Sequence, residues 1–218
     1  MKLPRVIYVT GIDGSGKTTV VEWLAEQLRG RGYQVDVLWL RFNHVLSKPL
    51  LAFCRLVGLT RYEMTNGIRV GYHEFHRSKL VAWLFVAFQY LDAVMVRWLR
   101  IGPRLRKANR IVVLDRYVFD ILIDLMIDTR IDDLHSGPVG KAFLKLLPAG
   151  TVVLPLLRDR DSLLAARPES VVDRNFEARQ RLYEELPTVY GLRPLRNDRG
   201  LEELLAQVAA HVGLDHES

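Results

Sequence analysis

Gly11-Ile12-Asp13-Gly14-Ser15-Gly16-Lys17-Thr18 matches the pattern G-x-x-x-x-G-K-[ST] in full. Just before it, Val6-Ile7-Tyr8-Val9 is a short apolar run that reads as a buried strand. Just after it, Thr19 to Leu28 carries apolar residues at helical spacing and stops near Gly30. Strand, glycine-rich turn and helix form the setting in which this pattern cradles phosphate. The glycines let successive backbone N–H groups point at one anion, and the helix N-terminus adds partial positive charge. Lys17 is expected to reach the β- and γ-phosphates of a nucleoside triphosphate and Thr18 to ligate Mg²⁺. Gly11, Asp13, Gly14, Ser15, Gly16 and Thr19 complete the expected cradle.

Further strands are expected at Val35–Leu40, Arg110–Asp115 and Thr151–Leu157, with a short one near Leu192–Leu195. Pro155 suits the third of these to a sheet edge or a bulge. Helices are expected at Phe119–Met126, Val139–Leu147 and Leu201–Val212, and the region from about Val45 to Lys107 reads as largely helical. Strands alternating with helices predict an α/β fold: a parallel sheet of about five strands in a three-layer phosphate-loop NTPase arrangement. All 218 residues read as one domain, with a lid at about 158–175.

Composition narrows the function classes. Hydrophobic residues at 49% and charged residues at 26% describe an ordinary soluble protein. One cysteine, Cys54, excludes an internal disulfide framework, and no secretory signal opens the sequence, so a cytoplasmic location is expected. The apolar stretch Leu80 to Val96 is short for a span and carries Gln89 and Asp92, which favours a buried helix over a membrane crossing. The net charge of +6 is scattered, without an aromatic-basic module for nucleic acid, and a positive cleft for polyanionic substrates accounts for it. His73 and His76 flank Glu74 with no third ligand in view, so no metal site is read there.

Arg110-Ile111-Val112-Val113-Leu114-Asp115 has the form of a central parallel strand ending in a carboxylate. Ligands collect at such strand ends, so Asp115 is expected to hold Mg²⁺ through water and Arg116 to fork onto a phosphate. With these residues in place the chain resembles the thymidylate kinase family of nucleoside monophosphate kinases. The resemblance rests on Gly11 to Thr19, on Asp115-Arg116-Tyr117, on Asp161 to Arg167, on Arg179 to Tyr183 and on Asn197 to Leu204. It is weak from about Phe42 to Ala108.

The resemblance implies an ATP- and Mg²⁺-dependent kinase that converts dTMP to dTDP, and commonly a homodimer. Asp13 would touch the acceptor sugar, Arg116 and Arg41 the acceptor phosphate, and Asp115 the Mg²⁺. The variable positions of the glycine loop hold no base, so the lid is expected to supply the catalytic cation. Arg167 has the family spacing and Arg174 comes next in that match, while Arg158, Arg160 and Arg174 each read rather as paired, solvated side chains.

Two departures bear on the acceptor. The helix before the Asp115 strand lacks the family's arginine, and Gln89 in that stretch either pairs with a base edge or satisfies a neighbour. Asp120, Asp124 and Asp128 share one helical face, read as the solvated side of an amphipathic helix, with Asp120 also a candidate acceptor from substrate. Phosphoryl transfer to another acceptor, and a non-catalytic ATP-binding regulator, are the rival readings. The apolar stripe of Leu80–Val96 serves either a dimer contact or the core.

Overall fold

The computed structural model describes residues 3–41, 45–65 and 68–215. Strand β1 (Val6–Gly11) leads into helix α1 (Lys17–Gly30), then β2 (Gln34–Trp39) and α2 (Ser47–Leu56). A hairpin follows, β3 (Thr60–Thr65) and β4 (Ile68–His73), before the long α3 (Lys79–Met95). A π-helical turn, Val96–Ile101, continues α3 into α4 (Gly102–Leu105). Then come β5 (Arg110–Asp115), α5 (Val118–Thr129), α6 (Pro138–Leu144) and β6 (Thr151–Leu157). The chain closes with α7 (Arg160–Ala166), α8 (Phe176–Tyr190), β7 (Leu195–Arg196) and α9 (Leu201–Val212).

The main sheet has the order β2-β5-β1-β6-β7, and every pairing in it is parallel. Parallel strands need crossovers, and the helices of those crossovers cover both faces. Alternation along β1 shows the two layers directly. Val6 and Tyr8 enter the core shared with α3, α5 and α8, whereas Ile7 and Val9 enter the one shared with α1 and α9. The fold is therefore α/β, with a five-stranded parallel sheet between helical layers.

Three expectations need correction. The region Val45–Lys107 is not wholly helical, because β3 and β4 pair antiparallel within it. Arg61, Tyr62, Glu63 and Met64 are all exposed, so no period-2 burial pattern announced β3. Pro155 does not lie in an edge strand, since β6 runs between β1 and β7. It is tolerated there because β7 pairs only with Leu156 and Leu157, leaving Pro155 partnered on the β1 side alone, opposite Thr10. The last short strand lies at Leu195–Arg196 rather than Leu192–Leu195.

Among the described residues, one helical run, Lys79–Leu105, is long and apolar enough to cross a membrane by length and composition. Its inner face, with Phe85, Val86, Gln89, Asp92 and Ala93, is buried in the protein. Asp92 accepts from Leu46 N at 2.7 Å, Ser47 N at 3.1 Å and Ser47 Oγ at 2.5 Å, satisfying the free donors at the start of α2.

Candidate active site

The carboxyl ends of β1, β2 and β5 lie side by side, and each passes directly into a segment bearing a charged group. Asp115 pairs with Val9 on one side and Trp39 on the other. Asp13 and Lys17 follow β1, Arg41 follows β2 and Arg116 follows β5. Three cations converge on Asp13. Arg116 is ion-paired to its Oδ1, Arg41 Nη1 lies 3.0 Å from Oδ2, and Lys17 Nζ lies 3.7 Å from Oδ1.

Burial alone would raise the Asp13 carboxyl, but Arg116, then Lys17 and Arg41, outweigh it and hold it below the usual carboxylate range. Lys17 is almost fully buried and donates to Ile12 O at 2.6 Å. Burial first, and then the Arg116 charge, push its amine down to about 8 against the pull of Asp13.

The loop between β1 and α1 is shaped by close approach. Gly11 has φ of 150°, and a Cβ there would come within 2.5 Å of Leu156 O on the neighbouring strand. Gly16 has φ of 100°, and its Cβ would meet Asn197 Nδ2 at 2.9 Å. Two side chains that the sequence reading had not assigned to the site hold this loop. Arg158 Nη1 donates to Gly14 O at 2.9 Å, and Asn197 Nδ2 donates to Ser15 O at 3.2 Å. Arg158 is thus partly buried at the loop, not a solvated paired residue. The only signal for it was its position at the carboxyl end of a strand.

Around this loop lies a cavity of about 430 Å³, lined by Asp13, Gly14, Gly16, Lys17, Thr18 and Thr19 on one side. Asp115, Arg116, Arg158 and Arg167 close the other. Asp115 Oδ1 and Ser15 Oγ are buried without a hydrogen-bond partner among the described residues. Burial raises the Asp115 carboxyl, opposed by Arg116 and Lys17. The orphaned Asp115 oxygen and the exposed Thr18, both lining this cavity, suit a hard cation that keeps water or phosphate as its other ligands. Among the described residues no group of three or more His, Cys, Asp or Glu side chains could hold a metal ion.

Arg167 reaches the loop: its Cγ would lie 3.3 Å from a Cβ on Gly14, and its Nη1 is 3.2 Å from Glu169. Arg174 points elsewhere. Its guanidinium lies 3.8 Å from the Tyr72 ring centroid and 3.5 Å from both Glu63 and Glu74, tying the 158–175 segment to the β3–β4 hairpin. Arg174 is thus a paired side chain, as expected, though its partners are Glu63 and Glu74 of the hairpin region. Arg160 is exposed and pairs with Glu177 at 3.3 Å, as expected of a solvated side chain.

Behind Arg116 stands Asp120, and here the expectation changes again. Its carboxylate is buried and engaged by the protein on both oxygens. Oδ2 accepts from Tyr8 OH at 2.7 Å, Thr10 Oγ1 at 3.1 Å and Tyr117 N at 3.0 Å. Oδ1 accepts from Tyr183 OH at 2.7 Å and faces Arg116 Nη1 at 3.5 Å. Asp120 therefore positions Arg116 and caps the start of α5 instead of offering free lone pairs to a ligand. Tyr8 and Tyr183 went unassigned in the sequence. A tyrosine inside the run Val6–Val9 was the one available hint, because a buried phenol needs a partner.

A second cavity, of about 310 Å³, shares Arg41 with the first. Its walls include Phe85, Gln89, Tyr117, Asp124, Asp128 and Arg179. The Asp120–Asp124–Asp128 face thus turns inward, not to solvent as expected for an amphipathic surface helix. Asp124 is ion-paired to Arg179 and lies 3.9 Å from Arg41. Asp128 makes no hydrogen bond or ion pair among the described residues, and burial, then Asp124, raise its carboxyl above the ordinary range. Gln89 donates from Nε2 to Ser47 Oγ at 2.9 Å, so its amide satisfies a neighbour while also lining the cavity.

A comparison with protein-family models finds no match, and no curated protein matches this chain.

Proposed function

We propose that the chain is a phosphate-loop kinase that transfers the γ-phosphoryl group of ATP to a nucleoside monophosphate, with dTMP the acceptor implied by the resemblance. The observation that carries this reading is the convergence of Lys17, Arg41 and Arg116 on Asp13. Three cations against one carboxylate leave a positive centre where the two cavities meet. One cavity has the loop and the orphaned Asp115 oxygen, and the other has apolar walls with a few polar groups.

In this reading Lys17 neutralises the β- and γ-phosphates, and Arg41 and Arg116 hold the acceptor phosphate. An acceptor phosphate oxygen attacks the γ-phosphorus in line as the bond to the β,γ-bridging oxygen breaks. The attacking phosphate is already ionised, so the step needs no general base. Arg167 meets the migrating group from the lid, and Arg158 fixes the loop beneath it. Asp115 and Thr18 would hold Mg²⁺, which supplies charge neutralisation on the phosphates when bound. Excluding water is the remaining task, and it falls to the 158–175 segment.

The homodimer implied by the resemblance is part of the proposal. The test is nucleoside diphosphate formation from Mg-ATP across the nucleoside monophosphates, with nucleosides as controls. Formation that Lys17→Met abolishes supports the reading. ATP binding with no product from any acceptor would favour a non-catalytic nucleotide binder.

A further inference from the structure

Helix α5 forms one wall of the 310 Å³ cavity and presents Asp120, Asp124 and Asp128 to it at four-residue steps. From Asp120 to Asp128 the helix advances by about 12 Å, so the three carboxylates stand at different depths. Asp120 lies at the Arg116 end, 3.5 Å from that guanidinium. Asp124 comes one turn later, 3.9 Å from Arg41 and ion-paired to Arg179. Asp128 follows after another turn, on the side away from both arginines assigned to the acceptor phosphate. A nucleotide gripped by its phosphate at Arg41 and Arg116 lays its base at the depth of Asp128.

The polar groups along this wall differ in what they have left to offer. Asp120 is filled by Tyr8, Thr10, Tyr183 and the Tyr117 backbone. Asp124 is held by Arg179. Across the cavity, the Arg55 guanidinium stands 5.9 Å from the Tyr62 ring centroid, and His73 Nδ1 shares a hydrogen bond with Thr60 Oγ1 at 2.9 Å. Gln89 gives an amide hydrogen to Ser47 Oγ. Asp128 makes no hydrogen bond or ion pair among the described residues, and it lines the cavity beside the apolar walls of Leu51, Phe85 and Ile121. Those walls suit the faces of a flat ring, and Asp128 suits its edge.

We propose that Asp128 reads the acceptor base and selects one that carries an exocyclic amine, which among the pyrimidines is cytosine. The proposal rests on the reading of this cavity as the acceptor's, and it replaces the thymine that the resemblance implies. A carboxylate offers lone pairs and no hydrogen. The N4 amine of cytosine donates to such a group, a pairing used in the recognition of that base in nucleic acids. Thymine and uracil turn a carbonyl oxygen to the same place. Two acceptors would then face each other in a site shielded from water, which costs affinity. Burial, then Asp124, raise the Asp128 carboxyl, and an amine hydrogen donated to it favours its charged form against that rise.

The test is calorimetric titration of the full chain with dCMP, dUMP and dTMP, and with CMP and UMP. Cytosine and uracil share one shape and differ at the edge in question, so their ratio of Kd isolates it. In at least one sugar series the cytosine nucleotide should bind about 10-fold or more tighter than its uracil partner. Asp128→Asn should bring that ratio to about 1 or invert it, because an amide can turn its NH₂ group toward a carbonyl. The ratio is taken within one preparation, so it does not depend on how much of the variant is folded. Uracil or thymine nucleotides binding as tightly as cytosine ones in the wild type would overturn the proposal, even where phosphoryl transfer to them is seen. An unchanged ratio in Asp128→Asn, or no binding of any of the five, would overturn it too. Selective binding of a cytosine nucleotide without transfer would uphold it while the kinase reading fails.

Discussion

Tyr183 donates its phenolic hydrogen to Asp120 across 2.7 Å, joining α8 to α5 directly behind Arg116. Both residues are buried, and Asp120 takes further hydrogen bonds from Tyr8, Thr10 and the Tyr117 backbone. A buried carboxylate is tolerated when its lone pairs are occupied and a cation stands beside it, as Arg116 does at 3.5 Å. The fold thus uses a charged hub to aim one arginine at the cavity. Tyr183→Phe should cost about 1–2 kcal/mol in urea unfolding. Asp120→Ala should cost about 3–5 kcal/mol, since it leaves three buried hydroxyl donors without their acceptor and Arg116 with Asp13 as its remaining carboxylate. A loss under ~0.5 kcal/mol for Asp120→Ala would show that the hub holds nothing together.

Arg167 and Arg174 should separate in kinetics. Arg167→Met is expected to lower kcat by about 100-fold with little change in stability, because it removes charge aimed at the loop. Arg174→Met loosens the segment from the hairpin instead, so its main effect should be a rise in KM. Equal effects of the two substitutions on kcat would contradict the separate roles assigned to them.

Lys17 gives a pH signature. Its amine is pushed down to about 8 in the folded chain from an ordinary value of 10.5. Between those values the unfolded chain binds more protons, so this lysine makes unfolding free energy rise with pH. The stability of wild type relative to Lys17→Met should therefore climb by about 1–2 kcal/mol from pH 8 to 9.5. Tyr8 and Tyr183 are raised well above 10, chiefly by burial and then Asp120, and work in the opposite sense. Their stabilisation is complete below pH 10 and is lost as pH rises beyond it, outside the chosen window. Urea titrations of both proteins measure the difference, and a flat difference would refute the shift.

Asp128 should act on the acceptor alone. It lines the 310 Å³ cavity with no hydrogen bond or ion pair among the described residues, away from the loop that would hold ATP. Asp128→Leu is expected to raise KM for the acceptor by about 10-fold or more while leaving the affinity for ATP unchanged. Calorimetry with ATP and steady-state kinetics with the acceptor measure the two separately. A change in ATP affinity as large as that in acceptor KM would place Asp128 in the wrong site.

Much of this arrangement was legible before any coordinates. Val6–Val9 and Arg110–Asp115 announced themselves as apolar runs because strands buried on both faces have no polar alternation. Leu201–Val212 was read to the residue, and the structure caps it with Gly200 and Gly213. That Lys17, Thr18, Asp115 and Arg116 come together around one cavity was legible because a local pattern fixes them next to strand ends. Asp120, Tyr8 and Tyr183 escaped as a unit because their hydrogen bonds join residues 63 and 112 positions apart. The inward turn of Asp124 and Asp128 escaped for a related reason. Helical periodicity says which side chains share a face but not whether that face meets solvent or a cavity. The β3–β4 hairpin lacked the alternation that would have identified it.

The most direct measurement of the central claim follows the γ-phosphate itself. The purified chain is incubated with Mg²⁺, γ-labelled ATP and each nucleoside monophosphate in turn, and the products are separated. The account predicts that label appears in the β-position of one nucleoside diphosphate, in a one-to-one ratio with ADP, and that Lys17→Met abolishes the transfer. Label found only as free phosphate, or retained in bound ATP with every acceptor, would contradict it.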